Sequence, residues 1–367
     1  MTHLLEPAPV LSIPTSDDGP SASGEMPLMF DPLVMPRWDA RLAQAPSATV
    51  FHTQGWAQVL SHAYGHRPYY LGLPCGDRFE ALLPLMEVDS PLLGRRGVSL
   101  PFTDLCAPLG GPSEFQVLFR HAVEIGQARG WRYLELRGVP PSWVGRQPSL
   151  SFWGHTLDLD RAEEEISGGL DDSVRRAIRK AEKNGLEVSL GETPEDMRTY
   201  YELHCRTRQR HGLPPQPWRF FENLQRHVLG SGHGFVVTAH HAGQPVAGAV
   251  FLHFGQNATF KFGASDSRHQ ELRGNNLVIW RGIQACRQRE CRILHFGRTS
   301  CSNEGLRRFK FGFGTVHTHV NYLRLDLKSL GPARVNDLAH SPMNSLFRFL
   351  PRRAARWVGA ALYPHIT

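Results

Sequence analysis

Two stretches of the sequence repeat the same transition from the end of a helix to the start of a strand. The first is ARGWRYLELRG and the second is QRECRILHFGR, and Trp131 of the first lies 160 positions before Cys291 of the second. The apolar stretches ALLPLMEV and AGAVFLHF are separated by a similar interval. A repeat with so long a period predicts a duplicated domain and not a solenoid of short units. A chance similarity between two helix–strand transitions is the alternative.

The two copies share one predicted order of elements: a helix, antiparallel strands, a second helix, a strand and a further strand. Apolar spacing predicts helices at TQGWAQVLSHA and FQVLFRHAVEIGQARG in the first copy and at SVRRAIRKAEKNG, capped by Ser173, in the second. GFVVTAHHAGQPVAGAVFLHFGQNATFKFGAS predicts three antiparallel strands. The expected fold class is therefore α/β with mixed α+β sheets, in an N-terminal domain at 35–160 and a C-terminal domain at 161–330.

Two segments flank these domains. Residues 1–34 are rich in Pro, Ser, Gly and Asp, which predicts a disordered leader, and they lack the basic start and apolar core of a signal peptide. No apolar run approaches the ~20 residues of a membrane span, so we expect the protein to stay in the cytoplasm. Residues 331–367 form a basic amphipathic tail without acidic residues after Asp337. It suits either the anionic inner face of a membrane or packing against the second domain.

The charge balance favours an anionic partner without requiring one. Lys and Arg total 41 against 34 Asp and Glu, which gives a formal net charge of +7. A phosphate, a nucleic acid or a membrane face would fit this excess, although many enzymes carry as much charge without binding a polyanion. The six cysteines form no CxxC pair and have no zinc-ligand spacing with His, so we expect no metal site. GxSxG, HExxH and GxxxxGK[ST] motifs are absent from the sequence.

Three basic stretches could carry chemistry. Helix SVRRAIRKAEKNG holds five cations, including Arg176, away from its apolar stripe, so they either contact an anion or face solvent. HCRTRQRHGLP places Arg206 and Arg208 at a helix end, where they bind substrate or complement the helix dipole. HFGRTSCSNEGLRRFKFGFG is a glycine-rich strand–loop–helix segment in which Lys310 follows Phe309. A cation held there by packing could stabilise a developing oxyanion, or it could be a lysine at a sheet edge.

The sequence resembles the FemAB-type transferases of the GNAT superfamily, in particular the FemAB-related proteins of exosortase/PEP-CTERM exopolysaccharide systems. The matching stretches are DDSVRRAIRKAEKNGLEV, YYELHCRTRQRHGLPPQPWRFFENL, FKFGASDSRHQELRGNNLVIWRGI and FGRTSCSNEGLRRFKFGFG, with weaker similarity at FHTQGWAQVLSHAYGHRP and PFTDLCAPLGGP. The resemblance implies two tandem GNAT-like acyltransferase domains, in agreement with the repeat. It also implies that the pair Phe309 and Lys310 contacts the acceptor and assists transfer.

The donor implied by this resemblance is an acyl-CoA or an aminoacyl-tRNA, with no permanently bound cofactor. Two departures bear on that choice. Only a few residues separate Gly185 from Thr193, so the coiled-coil arm that Fem enzymes are thought to use for tRNA is missing. HQELRGNN supplies Gly274 of the coenzyme A loop [QR]xxGx[GA] but not the rest.

We therefore expect an acyl- or aminoacyltransferase that modifies an amine or hydroxyl of an envelope glycan, an exopolysaccharide or its lipid-linked precursor. Lys310 and the general base Asp266 are the expected catalytic residues. The expected substrate-binding residues are Phe309, Arg298, Asn303, Glu304, Arg176, Arg206, Arg208, Lys261 and Asn275. The alternative is a protein of the same fold that binds a glycan or lipid carrier without catalysis.

Overall fold

The computed structural model describes residues 26–145, 147–333 and 350–367. Most of the predicted leader (1–25) and the tail segment 334–349, which includes Leu346, Phe347 and Phe349, lie outside the described residues. The elements of the first half are β1 (Leu28–Phe30), α1 (Trp38–Leu42), α2 (Gln54–Tyr64), β2 (Arg67–Pro68), β3 (Tyr70–Cys75), β4 (Arg78–Leu83), β5 (Met86–Val88), β6 (Arg96–Ser99), α3 (Pro112–Ala128), β7 (Tyr133–Arg137), α4 (Pro141–Val144) and β8 (Leu150–Asp158).

The second half repeats this order with longer elements. They are α5 (Glu163–Gly168), α6 (Asp172–Lys183), β9 (Glu187–Gly191), α7 (Pro194–Arg210), α8 (Trp218–His227), β10 (Gly234–His241), β11 (Gln244–Phe254), β12 (Asn257–Ser265), α9 (Gly274–Gln288), β13 (Ile293–Ser300), α10 (Glu304–Phe311) and β14 (Val316–Asp326). Helix α11 (Arg352–Leu362) and a short 3₁₀ turn (Tyr363–His365) end the chain.

Among the described residues, one sheet of eleven strands runs through both halves in the order β2-β5-β6-β7-β14-β8-β13-β12-β11-β10-β9. The two halves exchange their last strands. β8, from the first half, pairs with β13, whereas β14, from the second half, pairs with β7. A boundary at residue 160 therefore divides the sequence, but the sheet is shared across it.

The predicted duplication is confirmed by the strand pairing. Each half contains one short parallel pair, between the strands that flank α3 in the first half and α9 in the second. In the first half Val98 pairs with Glu135, and in the second Ala258 pairs with Leu294. Both pairs extend over only three residues, so the strands separate soon afterwards. This mixed α/β architecture with splayed central strands is GNAT-like.

Helices cover both faces of the second half of the sheet. Because side chains alternate along a strand, Val237 and Phe251 pack with α6 and α9 on one face, whereas Val236 and Val250 pack with α7 and α8 on the other. α11 adds to the second face, and its Ala355 and the following Tyr363 are buried.

Four local expectations differ from the structure. β1 lies inside the segment predicted to be a disordered leader and pairs with β3. The apolar stretch FEALLPLMEV, bounded by charge, predicts one strand at 79–88, but the structure divides it into β4 and β5, which pair with different strands. Ser173 does not cap α6, because that helix already begins at Asp172. The sequence predicts a short helix, EGLRRF, with Lys310 after it, but α10 continues through Phe311 and includes Lys310 in its last turn.

Candidate active site

A bulge in β13 forms the floor of the candidate site. Pairing of β13 with β8 is irregular between His295 and Arg298, and Gly297 there has a positive φ of 69°. A Cβ at Gly297 would also clash with the carboxylate of Asp104. Glycine is needed at this position for both reasons, because other residues rarely adopt this conformation and any side chain would displace Asp104.

Lys310 reaches this bulge from the last turn of α10. Its Nζ donates hydrogen bonds to the carbonyl oxygens of Gly297 (3.2 Å) and Arg298 (3.0 Å), and the residue is 5% exposed. Burial lowers the pKa of Lys310 to about 8, although the nearby Asp104 carboxylate opposes this shift. The side chain is therefore a fixed cation that titrates near physiological pH.

Asp104 comes from the first half of the chain, on the loop between β6 and α3. Its Oδ1 lies 3.6 Å from Nε of Arg298, and its side chain is 28% exposed. Burial raises its pKa, but Lys261, Arg298 and other cations outweigh that effect and hold the pKa of Asp104 below its usual value. The carboxylate is thus ionised and shared among several cations.

Lys261 of β12 provides the third cation beside Asp104. Its Nζ donates to the carbonyl oxygen of Phe102 at 2.6 Å and lies 5.2–5.8 Å from the ring centroids of Phe51, Trp56 and Phe262. Burial lowers the pKa of Lys261, and Asp104 opposes that shift. We call Asp104, Lys261, Arg298 and Lys310 the junction cluster, because the two halves of the molecule meet there.

Aromatic rings hold Arg298 in the junction cluster. Its guanidinium lies 4.3 Å from the ring centroid of Phe152 and 5.0 Å from that of Tyr322. Tyr322 in turn donates its hydroxyl proton to the backbone oxygen of Asp104 at 2.8 Å. Because Phe152 lies on β8 and Tyr322 on β14, the two exchanged strands position the cation.

His155 of β8 lies near Lys310 on the other side of the bulge. It is 1% exposed, and neither ring nitrogen has a hydrogen-bond partner among the described residues. Burial, with smaller contributions from Lys310 and His317, lowers the pKa of His155 to about 4. The imidazole is therefore neutral at physiological pH and adds no charge beside Lys310.

A cavity distinct from the junction cluster lies between α6, the start of α9 and α10. It has a volume of about 720 Å³. Four cations line it, and none has a hydrogen bond or ion pair to another side chain in the described part of the chain: Arg176, Lys180, Arg273 and Arg308. Asp171 and Phe309 also line this cavity, which we call the basic pocket. Unpaired cations and the N-terminus of a fifteen-residue helix together favour a phosphorylated ligand.

The predicted general base, Asp266, is engaged elsewhere. Its carboxylate accepts hydrogen bonds from Arg268 (2.6 Å) and Arg206 (2.9 Å) at the end of β12. The hydrogen bonds from Arg268 dominate and, against the opposing effect of burial, hold the pKa of Asp266 far below its usual range. Such a carboxylate is a poor proton acceptor, so the geometry assigns Asp266 and Arg206 to an ion-pair network and does not support the role of general base.

The other predicted residues divide between the two sites and the scaffold. Arg298 and Lys261 join Lys310 in the junction cluster, and Arg176 and Phe309 line the basic pocket. The remaining predicted residues make scaffold contacts: Asn275 with Ser265 (3.2 Å), Arg208 with Tyr363 (2.8 Å), Asn303 with the backbone of Leu306 (3.0 Å), and Glu304 with Arg307 (3.1 Å).

Sequence reasoning missed Asp104 and three cations of the basic pocket. Asp104 lies in PFTDLCAPLGGP, where the only signal was a weak family resemblance. Lys180 is one of several cations on α6, and nothing in the sequence separates those that face the pocket from those that face solvent. Arg273 and Arg308 lie far from α6 along the chain, so only the fold brings them together.

Comparisons with known proteins identify a GNAT-like fold. Residues 171–315 match the acetyltransferase (GNAT) domain family, and this range contains the basic pocket and Lys310. By sequence, no protein of curated function matches the chain.

Solved structures with a similar fold come from several proteins. FemX matches with a TM-score of 0.65 at 13% identity, over 81% of this chain and 97% of FemX. The C-terminal domain of a putative lysylphosphatidylglycerol synthetase from Agrobacterium fabrum matches with a TM-score of 0.54 at 14% identity, over 78% of this chain and 90% of that domain. A tandem GNAT protein from the clavulanic acid biosynthesis pathway matches with a TM-score of 0.51 at 13% identity, over 84% and 99% of the two chains. At these identities the similarity shows a shared tandem GNAT fold.

Proposed function

We propose that this acyltransferase of the GNAT type transfers an acyl or aminoacyl group to an amine or hydroxyl of a cell-envelope glycan, an exopolysaccharide or its lipid-linked precursor. The observation that carries the proposal is the pairing of two sites. The unpaired cations of the basic pocket, which could bind a phosphate together, lie on one side of α10. Lys310, which is buried and has a lowered pKa, lies in the last turn of the same helix. One helix thus connects a donor site with a site that can stabilise charge.

The donor is assigned to the basic pocket. Acyl-CoA carries its phosphates at the far end of the pantetheine arm from the thioester, and aminoacyl-tRNA carries them along its acceptor end. Either set could bind Arg176, Lys180, Arg273 and Arg308, which have no hydrogen-bond or ion-pair partner in the described structure. The GNAT domain favours an acyl-CoA donor. The fold shared with FemX supports an aminoacyl-tRNA as the alternative donor.

The reaction is assigned to the junction cluster. The acceptor nitrogen or oxygen attacks the carbonyl carbon of the donor thioester or ester, and the carbonyl oxygen becomes an oxyanion. The ammonium of Lys310 is positioned to stabilise that charge, because it is fixed before the reaction by Gly297 and Arg298. Collapse of the intermediate breaks the bond to the donor sulfur or oxygen, and the departing group takes up the proton that the acceptor loses. This sequence requires no carboxylate base with a raised pKa.

Two similarities bear on the class of acceptor. The putative lysylphosphatidylglycerol synthetase that shares the fold is named for a product in which an amino acid is joined to a lipid. The sequence resemblance to FemAB-related proteins of exosortase/PEP-CTERM systems favours a saccharide. We propose a lipid-linked saccharide because it would satisfy both, and we place the reaction on the cytoplasmic side of the membrane.

Mass spectrometry of the envelope polysaccharide from cells with and without the gene tests the proposal. We expect an acyl or aminoacyl mass increment on the saccharide that is lost with the gene. Identical masses, with no transfer by purified protein from any acyl-CoA or aminoacyl-tRNA to a polyprenyl-phosphate glycan, would contradict it. They would favour the alternative of a non-catalytic carrier-binding protein.

A further inference from the structure

One face of the last helix, α11, packs against the rest of the molecule, and another face is exposed to solvent. On the inner face, Ala355 is 3% exposed, and a Cβ at Gly359 would clash with the backbone of Pro215. On the outer face, Trp357 is 79% exposed and Leu362 is 39% exposed. α11 is therefore held firmly, so its open face is presented as a fixed surface.

The anchors of this helix come from both halves of the chain. In the second half, Arg208 donates to the hydroxyl of Tyr363 at 2.8 Å, and Tyr363 donates to the carbonyl of Pro214 at 3.2 Å. In the first half, Arg96 donates to the carbonyl of His365, and the imidazole Nε2 of His66 contacts the carbonyl of Pro364 at 3.2 Å. The inner face of α11 therefore packs against the rest of the molecule, which is one of the two alternatives predicted for the tail. Deleting α11 would expose this interface.

The open face carries an excess of positive charge. Arg353 lies one helical turn before Trp357, and Arg352 is the first residue of the helix. Both arginines are exposed, and neither has an ion-pair partner among the described residues. Arg356 is neutralised by Glu202 at 2.6 Å. Residues 338–367 contain four arginines and no acidic residue. This surface is complementary to an anionic partner that also accepts a tryptophan side chain.

A cavity lies directly beside Trp357, between α7, α8 and α11. It has a volume of about 540 Å³, and its lining includes Arg198, Trp218, Trp357 and the ion pair of Arg356 with Glu202. The guanidinium of Arg198 stacks on Trp218 at 4.8 Å from the ring centroid and makes no hydrogen bond to another described residue. A stacked, exposed and unpaired guanidinium beside tryptophan fits a phosphodiester at the boundary between water and apolar chains.

Internal contacts connect the end of α11 to the junction cluster. Tyr363 follows α11 directly and packs on Phe102, with 5.7 Å between the ring centroids. The carbonyl of Phe102 receives the ammonium of Lys261. A ring contact and a hydrogen bond, both made by Phe102, therefore connect the end of α11 to the junction cluster.

We infer that the outer face of α11 and the adjoining cavity dock on an anionic phospholipid bilayer, with Trp357 in the interface, Arg352 and Arg353 against the lipid charge, and Arg198 on a headgroup phosphate. The protein binds as a peripheral protein: no helix in the described ranges is both long and apolar enough to cross a membrane. The inference rests on the proposed function only for its purpose, which is to bring a lipid-linked acceptor to the junction cluster.

Co-sedimentation with vesicles tests this inference without any donor or acceptor. The vesicles are phosphatidylcholine alone, or phosphatidylcholine containing phosphatidylglycerol. We expect the full-length protein to bind the anionic vesicles and to dissociate as the salt concentration rises. Trp357→Ala and the double variant Arg352→Glu/Arg353→Glu should each weaken binding about tenfold or more. Arg198→Gln should weaken it less, and free inorganic phosphate should not displace the protein.

Matched controls are available on the opposite half of the chain. Leu92 is 81% exposed, and Arg78 and Arg120 are exposed without an ion-pair partner in the described part of the structure. Leu92→Ala and Arg78→Glu/Arg120→Glu should leave vesicle binding unchanged. All substituted side chains are exposed, so each variant should keep the thermal midpoint of the wild type.

Three results would overturn the inference. The first is equal binding to vesicles with and without phosphatidylglycerol. The second is wild-type vesicle binding by Trp357→Ala and the double Arg variant. The third is a dimer in solution that Trp357→Ala dissociates, with no vesicle binding, which would assign the surface to a second copy of the chain. Vesicle binding without any transfer would instead contradict only the proposed function.

Discussion

The two halves of the molecule share a fold but differ in how closely their carboxylates are paired with cations. In the first half, Glu135 accepts hydrogen bonds from both Arg137 and Arg324, and Glu87 pairs with Arg129 at 3.0 Å. Each of these carboxylates is therefore held in a direct ion pair, whereas the buried Arg96 of β6 donates to the carbonyl oxygens of Gly94 and His365. At the corresponding strands of the second half, β12 and β13, Lys261, Arg298 and Lys310 share the single carboxylate of Asp104.

This difference favours the second copy as the one that carries the chemistry. Close ion pairs stabilise one arrangement of the chain, whereas three cations that share one carboxylate can attract an anionic substrate or transition state. Because Asp104 comes from the first half, the candidate active site is built from both copies.

Removing the carboxylate of Glu135, which joins Arg137 and Arg324, should have the largest effect on stability. In Glu135→Ala, Arg137 would stay buried without its partner, so we expect a loss of about 3–5 kcal/mol in the free energy of unfolding. Urea denaturation measures it. A matched substitution in the second half, Lys180→Ala, should change the free energy of unfolding by less than about 0.5 kcal/mol. A small loss for Glu135→Ala would remove the contrast between the halves.

Neutralising the basic pocket should affect donor binding and leave stability unchanged. The double variant Arg176→Ala/Arg308→Ala removes two unpaired cations, which we expect to weaken donor binding about 10- to 100-fold. Calorimetric titration with coenzyme A, and separately with aminoacyl-tRNA, measures the effect and identifies the donor. Lys328→Ala is the control, because Lys328 is exposed and does not line the pocket. Unchanged affinity for both ligands would place the donor elsewhere.

The sequence predicted the fold more completely than the site. Amphipathic spacing identifies α3, which buries one face, and turn residues divide strands β10–β12, of which β10 and β11 are buried on both faces. The exchange of β8 and β14 was not predicted, since strand pairing between distant segments leaves no local pattern. For the site, Lys310 is singled out by the sequence because its neighbours form a distinctive segment, and its role stays a prediction. Asp104 is a single carboxylate in a loop, and its importance arises only when the other half of the chain places three cations around it.

A smaller change should shift the pH dependence of transfer. Asp104 raises the pKa of Lys310, which is about 8 in the wild type. Asp104→Asn removes this influence, so Lys310 should lose its proton at a lower pH. If its ammonium is required, the alkaline limb of the kcat profile should move down by about one pH unit. A profile identical to that of the wild type would show that Asp104 and Lys310 are not coupled. His155 and Arg298, the neighbouring groups, are unchanged in this variant.

The central claim is that transfer depends on the buried ammonium of Lys310 in the second half. Lys310→Met keeps most of the side-chain volume and removes the charge, so we expect thermal unfolding within a few degrees of the wild type. The direct measurement is the mass increment on envelope polysaccharide from gene-deleted cells that express either Lys310→Met or the control Lys328→Ala at equal protein levels. The account predicts a wild-type increment with Lys328→Ala and a loss of about 100-fold or more with Lys310→Met. An undiminished increment with Lys310→Met would contradict it.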